Sequence, residues 1–199
     1  MQHAAMKRKA KDWPFWAGKA LQGVTFWIGH RRCLYPHWPL SEGAIVAEVC
    51  NLIHANLPDK FRLQCEVRYS KIIDRWPDAL GMRARADLVV TKSEKPKFVI
   101  EVKRGSASNA DIDADLHRLA VAYGKLRTIQ AYLMLVSEAH RPTRFVDKEG
   151  KSIRNAREVP KTKGLFYYRV RRTWKAAHAF NVREHAQYAC LVEVYPKIA

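Results

Sequence analysis

The sequence predicts an α/β fold in which a central mixed β-sheet is flanked by helices, with basic additions at the N-terminal and C-terminal ends. Segments with helical periodicity alternate with short apolar segments of strand character, in the order helix, three strands, helix, strand. Of the 199 residues 48% are hydrophobic, which is enough for one folded domain and excludes a mainly disordered chain. The net charge of +17 is unevenly distributed: residues 41–140 are close to neutral, whereas residues 1–40 and 141–175 are strongly basic. A charge of this size on a small domain indicates a polyanionic partner, most often nucleic acid.

The charge pattern predicts a division of the chain at residue 40. Residues 1–40 are interpreted as a basic aromatic N-terminal arm, and residues 41–199 as the folded domain, with a core at 41–137 and a basic loop at 141–164. The arm mixes Lys and Arg with Trp, Phe and Tyr, a combination that suits a surface that neutralises phosphates and stacks on bases. The same aromatic side chains could instead cover the core, and the sequence leaves both alternatives open.

The first predicted element of the core is a helix from Ser41 to about Leu57. Ser41 is a typical N-cap residue, and apolar side chains recur after it at spacings of three and four. Pro58 and the residue after it end the helical pattern.

The elements that follow are predicted from apolar runs and from the turn residues between them. Strands are predicted at 63–69, 86–91 and 98–104, and the last two are joined into a β-hairpin by a Lys-rich turn at 92–97. A second helix is predicted at about 110–127, and a strand buried on both faces at 129–137. Two further strands are predicted at 165–171 and 189–195.

Three charged residues interrupt the apolar central strands. Glu101 and Lys103 point to the same face of their strand, and the hairpin brings Asp87 beside Glu101. Two neighbouring carboxylates in an apolar sheet repel each other and are costly to desolvate unless a divalent cation lies between them. A site made of oxygen ligands suits Mg²⁺ or Mn²⁺, and Lys103 could then hold or deprotonate the attacking water. This is the chemistry of phosphodiester hydrolysis.

In these features, residues 41–137 resemble the PD-(D/E)XK nuclease superfamily, which has the restriction endonuclease-like fold. The matching features are an acid near the start of the first helix, Asp87 on one strand, E-V-K on the next strand and a helix after it. The resemblance implies that Asp87 and Glu101 are metal ligands and catalytic residues, that the Val102 carbonyl completes the metal shell, and that Lys103 is the catalytic lysine.

The resemblance also implies a glutamate on the first helix as an outer metal ligand and a further catalytic residue. Glu42 and Glu48 are both candidates, and helical periodicity favours Glu42 because it lies on the line of the apolar face. One departure from the family motif is Ala86, which precedes Asp87 where the motif has proline. The alternative to a catalytic site is an exposed strand face that carries a Glu–Lys pair.

The densest basic region lies between residues 141 and 172. Its charge indicates a loop and a strand that track phosphates and hold a nucleic acid over the metal site, whereas a merely solvated loop is the alternative. The predicted nucleic-acid contacts are Arg141, Arg144, Lys148, Lys151, Arg154, Lys161, Lys163, Arg171 and Arg172.

Together these features predict a Mg²⁺-dependent endonuclease, with Mn²⁺ as an alternative cofactor and DNA as the partner. The resemblance implies a role in restriction, phage defence or DNA recombination and repair, and it allows a homodimer or a regulatory protein partner. A non-catalytic nucleic-acid-binding module with the same fold is the competing hypothesis. No apolar run reaches the roughly 18–20 residues that cross a bilayer, so we expect a cytoplasmic protein without a membrane partner.

Overall fold

The computed structural model of the protein describes residues 13–35, 37–176 and 186–197. Four α-helices lie in this part of the chain: α1 (Phe15–Leu34), α2 (Glu42–Asn56), α3 (Tyr69–Ile72) and α4 (Asn109–Leu126), with a short 3-10 helix at Asp78–Leu80. The described residues also form seven strands: β1 (Arg62–Arg68), β2 (Arg85–Lys92), β3 (Lys95–Arg104), β4 (Gln130–Ser137), β5 (Arg157–Glu158), β6 (Phe166–Ala176) and β7 (Gln187–Pro196).

The strands form one mixed sheet in the order β1-β2-β3-β4-β7-β6-β5. Strands β3 and β4 are parallel, and α4 makes the crossover between them, whereas the other neighbouring strands are antiparallel. The predicted α/β class, with a mixed sheet and flanking helices, is therefore confirmed.

Helices cover both faces of the sheet. On one face, α1 and α2 pack against the sheet, and Ile45 and Val49 of α2 are fully buried there. On the other face, α4 buries Leu116 and Leu119. The predicted N-cap of α2 is also confirmed, because the Ser41 hydroxyl accepts a hydrogen bond from a backbone N–H in the first turn, at 3.2 Å.

The hairpin of β2 and β3 is confirmed, but its turn is shorter than predicted. Ser93 and Glu94 both have positive φ, at 49° and 61°, as the central residues of a two-residue hairpin turn require. Pro96 lies within β3, opposite Thr91, next to an irregularity in the pairing. The prediction of a six-residue turn was wrong because a proline at this position is accommodated by the bulge.

Of the described residues before α2, those of α1 and Leu40 pack into the core, which is the second of the two alternatives that the sequence left open for the aromatic segment. Trp16, Leu21 and Ile28 of α1 are buried against the sheet. Leu40 is also buried, and its N–H donates to the Glu138 carboxylate at 3.1 Å. The boundary predicted at residue 40 therefore does not correspond to a gap in packing, and residues 1–12, which carry much of the predicted basic arm, lie outside the described residues.

The basic loop at 141–164 is partly built into the core. Phe145, Val146 and Val159 are buried among the side chains on the α4 face of the sheet. Apolar anchors at both ends thus fix the path of a segment whose charged residues point outward. No helix of the described residues is long and apolar enough to cross a membrane.

Candidate active site

The acidic pair lies where the backbone pairing between β2 and β3 ends. The last paired residues are Leu88 and Ile100, so the antiparallel register places Asp87 opposite Glu101, as the predicted hairpin requires. The Val102 N–H donates to Asp87 Oδ2 at 2.7 Å, a side-chain contact where the next rung of the ladder would be. The two strands separate here. Glu101 contacts Arg118 of α4, whereas Asp87 also borders a cavity lined by Glu42 and Val46 of α2.

Glu101 is held from two directions by polar side chains. It is only 2% exposed, the Tyr69 hydroxyl donates to its Oε1 at 2.6 Å, and Arg118 Nε lies 3.5 Å from the same oxygen. Tyr69 is itself fully buried and stacks on Trp76, with 4.2 Å between the ring centroids. The orientation of the Glu101 carboxylate is therefore set by a packed aromatic residue and by a residue of α4.

Burial shifts the protonation of both carboxyl groups. It raises the pKa of Asp87 from 3.8 to about 6, although the hydrogen bond from Val102 acts in the opposite direction. Burial, and after it the charges of Asp87 and Asp115, raise the pKa of Glu101 well above its usual value. A side-chain hydrogen bond with Glu101 lowers the pKa of Asp87, while the charge of Asp87 raises the pKa of Glu101, so without a cation the two carboxyl groups favour a state in which they share a proton.

Lys103 lies between the two helices that flank the end of β3. Its Nζ is 2.9 Å from Glu42 Oε1 and 3.2 Å from Asp115 Oδ2, and its side chain is 15% exposed. Of the two candidate helix acids, the structure brings Glu42 to Lys103, and Glu42 also lies 3.4 Å from the Arg104 backbone nitrogen. Burial lowers the pKa of Lys103, but the hydrogen bond with Glu42 and the charge of Asp115 outweigh it and raise the pKa above its ordinary value. Lys103 is therefore a cation at neutral pH, and it donates hydrogen bonds where the sequence led us to expect help with deprotonation.

Three site residues were missed at the sequence level: Tyr69, Asp115 and Arg118. Asp115 is 1% exposed and contacts both Lys103 and Arg118, so it is part of the buried cluster and not a solvated acid near the start of α4. Burial raises its pKa, although the charges of Arg118 and Lys103 act in the opposite direction. The available signal was its position on the apolar stripe of α4, three residues after Ile112.

Two neighbouring acids of α4 have structural roles, one at the N-cap of the helix and one in an ion pair. Asp111 accepts a hydrogen bond from the Ser108 hydroxyl at the N-cap, at 2.7 Å. Asp113 pairs with Arg144 at 2.6 Å.

Two of the predicted nucleic-acid contacts form ion pairs inside the protein. Arg144 pairs with Asp113 and donates to the Tyr168 hydroxyl at 2.9 Å. Arg171 Nε lies 2.8 Å from Glu193 Oε2, an oxygen that Arg169 also contacts, and its side chain is only 7% exposed, so it is poorly accessible to a phosphate. Arg141 is half-buried, and the remaining predicted contacts are exposed: Lys148, Lys151, Arg154, Lys161, Lys163 and Arg172.

Part of this basic surface lies at the same end of the strands as the acidic pair. Strands β3, β4 and β6 run in the same direction, so Lys103 and Lys175 both lie near the C-terminal ends of these strands. A Cβ placed on Gly150 would lie 3.1 Å from Lys175 Cδ, so the turn that carries Lys148 and Lys151 packs on the end of β6. This turn and the candidate site therefore face the same side of the molecule.

The donor chemistry of the acidic pair fits a hard divalent cation. Asp87 and Glu101 are adjacent, offer oxygen donors and have raised pKa values, whereas the contact of Val102 with Asp87 is made by its N–H, which cannot ligate a cation. However, the described residues contain no group of three or more His, Cys, Asp or Glu side chains arranged to hold a metal ion. Asp115, the nearest further acid, is directed to Lys103 and Arg118.

No protein-family model matches the chain, and no curated protein or solved structure matches it. Fold and site together define an α/β protein with a seven-stranded mixed sheet and a buried carboxylate–lysine cluster where the inner strands β2 and β3 separate. The resemblance to the PD-(D/E)XK superfamily rests on the residues of this sequence.

Proposed function

We propose that this chain is a PD-(D/E)XK nuclease that uses Mg²⁺, or Mn²⁺, to hydrolyse phosphodiester bonds in DNA. The observation that carries the proposal is the placement of Asp87 opposite Glu101, at the point where β2 and β3 separate, with Lys103 two residues after Glu101 on the same strand face. A restriction endonuclease-like core is the fold that this arrangement favours.

In the proposed mechanism Asp87 and Glu101 hold the cation. When bound, it supplies positive charge that polarises the phosphate and acidifies water. Asp87, whose pKa burial raises to about 6, must be ionised to bind it, so binding improves as the pH rises through that value.

Lys103 acts through its positive charge. Glu42 and Asp115 hold its Nζ beside the acidic pair, and they keep it protonated. An ammonium group fixed in this position can orient the attacking water and donate a hydrogen bond to a phosphate oxygen that gains negative charge in the transition state.

Tyr69 and Arg118 act as positioning residues for Glu101. Both contact its Oε1, and both lower its pKa against the effect of burial. They therefore increase the fraction of Glu101 that is ionised and available to the cation.

The experiment is a cleavage assay with the wild type, Lys103→Ala and the control variant Lys97→Ala. Lys97 lies on the same strand but at its other end, so its substitution removes an equal charge far from the site. Plasmid, single-stranded DNA and RNA are each incubated with Mg²⁺, Mn²⁺ or EDTA. We expect metal-dependent cutting by the wild type and by Lys97→Ala, and a loss of at least about a hundredfold in Lys103→Ala. Equal cutting by Lys103→Ala, or cutting that persists in EDTA, would contradict the proposed site.

A non-catalytic nucleic-acid-binding module is the second candidate, and one observation favours it. Lys103 and Arg118 supply positive charge to the buried acids without any metal ion, which is the arrangement of a structural ion-pair cluster. Such a module binds DNA equally well in Mg²⁺ and in EDTA and cuts under neither condition, so the same assay distinguishes the two functions.

A further inference from the structure

Two aromatic side chains lie on the surface just before α2. Trp38 is 73% exposed and Tyr35 is 52% exposed, in the short connection between α1 and α2. Large aromatic side chains bury much more of their area when they serve only packing, and exposed ones often mark a binding surface.

Arg31, in the last turn of α1, holds both aromatic residues in place. Its Nη1 donates to the Trp38 carbonyl oxygen at 2.7 Å, and its guanidinium lies 5.5 Å from the centre of the Tyr35 ring. The Tyr35 N–H donates to the Arg31 carbonyl, and the Trp38 N–H donates to the Tyr35 carbonyl, at 2.8 and 3.3 Å. The two rings are therefore presented by a hydrogen-bonded turn, which lowers the entropy cost of binding a ligand.

This turn is connected directly to the candidate active site. Leu40, two residues after Trp38, donates its N–H to Glu138, and Glu138 pairs with Arg104 at 3.1 Å. Arg104 is the neighbour of Lys103 on β3. Two residues of chain span at most about 7 Å, so the Trp38 backbone is tied through Leu40 and Glu138 to the end of the strand that carries Lys103.

The charge around the turn favours an anionic partner. No Asp or Glu occurs between residues 13 and 41, whereas Arg31 and Arg32 lie in the last turn of α1. A flat aromatic surface beside guanidinium groups complements a planar base joined to a phosphate.

We propose that Trp38 and Tyr35 form a platform on which an unpaired base of the nucleic acid stacks, while Arg31 and Arg32 neutralise its phosphates. The substrate class is then DNA with a single-stranded segment next to the cleavage point, and not uninterrupted duplex. The assignment as substrate rests on the proposed nuclease function, but the stacking itself does not require cleavage.

The test measures binding by fluorescence anisotropy in EDTA, where no cleavage occurs. The probes are a fluorescein-labelled oligothymidylate and a blunt-ended duplex of the same length. The variants are Trp38→Ala, Trp38→Phe and the control Phe15→Ala. Phe15 is also 73% exposed and, as Tyr35 does, has a cation over its ring, in this case Lys19, but it lies at the opposite end of the 20-residue α1.

We expect Trp38→Ala to weaken binding of the oligothymidylate at least about fivefold, with little change for the duplex, because one lost base stack costs that much. Trp38→Phe should restore most of the affinity, and Phe15→Ala should leave it unchanged. Circular dichroism and thermal unfolding of each variant establish that the fold is kept. Unchanged binding in Trp38→Ala, or an equal loss for both probes, would overturn the platform and favour a protein partner for these rings.

The outcome is independent of the cleavage assay. If Lys103→Ala cuts like the wild type while Trp38→Ala loses single-strand binding, the proposed active site fails and the platform stands. If cutting depends on Lys103 but single-strand binding does not depend on Trp38, the platform fails alone.

Discussion

Asp87 is the residue whose environment most directly links stability to the proposed chemistry. Its carboxyl group is held beside the more deeply buried Glu101 and accepts a hydrogen bond from Val102. Burial is the largest influence on its pKa, which rises from 3.8 to about 6. The folded chain without a cation therefore holds a proton on Asp87 at pH values where the unfolded chain has lost it.

This shift predicts the pH dependence of stability. The contribution of Asp87 to the free energy of unfolding is complete below about pH 4 and is lost as the pH rises to about 6, because only the unfolded chain ionises freely in that range. In Asp87→Asn this loss, on the order of 2 kcal/mol, should be absent. Urea unfolding in EDTA at several pH values between 4 and 7 measures it.

The control for this experiment is Asp74→Asn. Asp74 has a side chain that is 96% exposed, so its substitution should leave the pH profile of the wild type unchanged. An Asp87→Asn profile parallel to that of the wild type would show that Asp87 is ionised in the folded chain without a metal.

At the scale of elements, the apolar patterns predicted α2, α4 and the long strands because burial determined those patterns, whereas α1, α3 and β5 were not predicted. The apolar stripe of α4 and the uniformly apolar run of β4 both lie where the sequence placed them. The sequence left two alternatives open for the aromatic residues before residue 40, because the described ones divide between two environments. Trp16 is buried under the sheet, whereas Trp38 is exposed, and residue type alone does not separate these cases.

The site was predictable only in part, for a related reason. Asp87, Glu101 and Lys103 lie on neighbouring strands, so the alternation of side chains places them together. Asp115 and Arg118 reach the site from α4, and their approach depends on how that helix packs across the sheet. Tyr69 contacts Glu101 from α3, a single turn with no periodicity of its own to reveal it.

The turn after β3 fixes the end of the strand that carries Lys103. The Gly105 N–H donates to the Val136 carbonyl of β4 at 2.7 Å, and a Cβ on Gly105 would lie only 2.5 Å from Ser137 Cβ and 3.0 Å from its Cα. Contact with backbone atoms leaves little room for relief, so the turn requires glycine.

We therefore expect Gly105→Ala to lower the free energy of unfolding by about 1–3 kcal/mol and to displace the end of β3. The matched control is Gly43→Ala in the first turn of α2, where an added Cβ meets no atom within 4 Å and better helix propensity should leave stability unchanged or slightly raised. Urea unfolding of both variants tests this. Equal free energies of unfolding for Gly105→Ala and Gly43→Ala would mean that β3 and β4 separate easily at their C-terminal ends.

At the scale of the whole molecule, lysine residues lie at both ends of the strands, but only one of these ends carries the candidate site. The turn of Lys148 and Lys151 packs against the C-terminal end of β6, at the same end of the strands as Lys103. The hairpin turn of β2 and β3, which is also rich in lysine, lies at the opposite end of the strands. If DNA crosses the candidate site, only the first set of lysines contacts its phosphates.

This difference can be measured from the salt dependence of DNA binding. Each phosphate contact contributes about 0.9 to the slope of log affinity against log salt concentration, because binding releases condensed counterions. The double variant Lys148→Ala/Lys151→Ala should therefore reduce the slope by about 1–2, and the loss of affinity should be similar for all sequences. The double variant Lys92→Ala/Lys95→Ala removes the same charge from the opposite end of the strands, so the salt dependence of its DNA binding should stay close to that of the wild type. Equal reductions in both variants would mean that net charge alone attracts DNA and that the candidate site does not orient it.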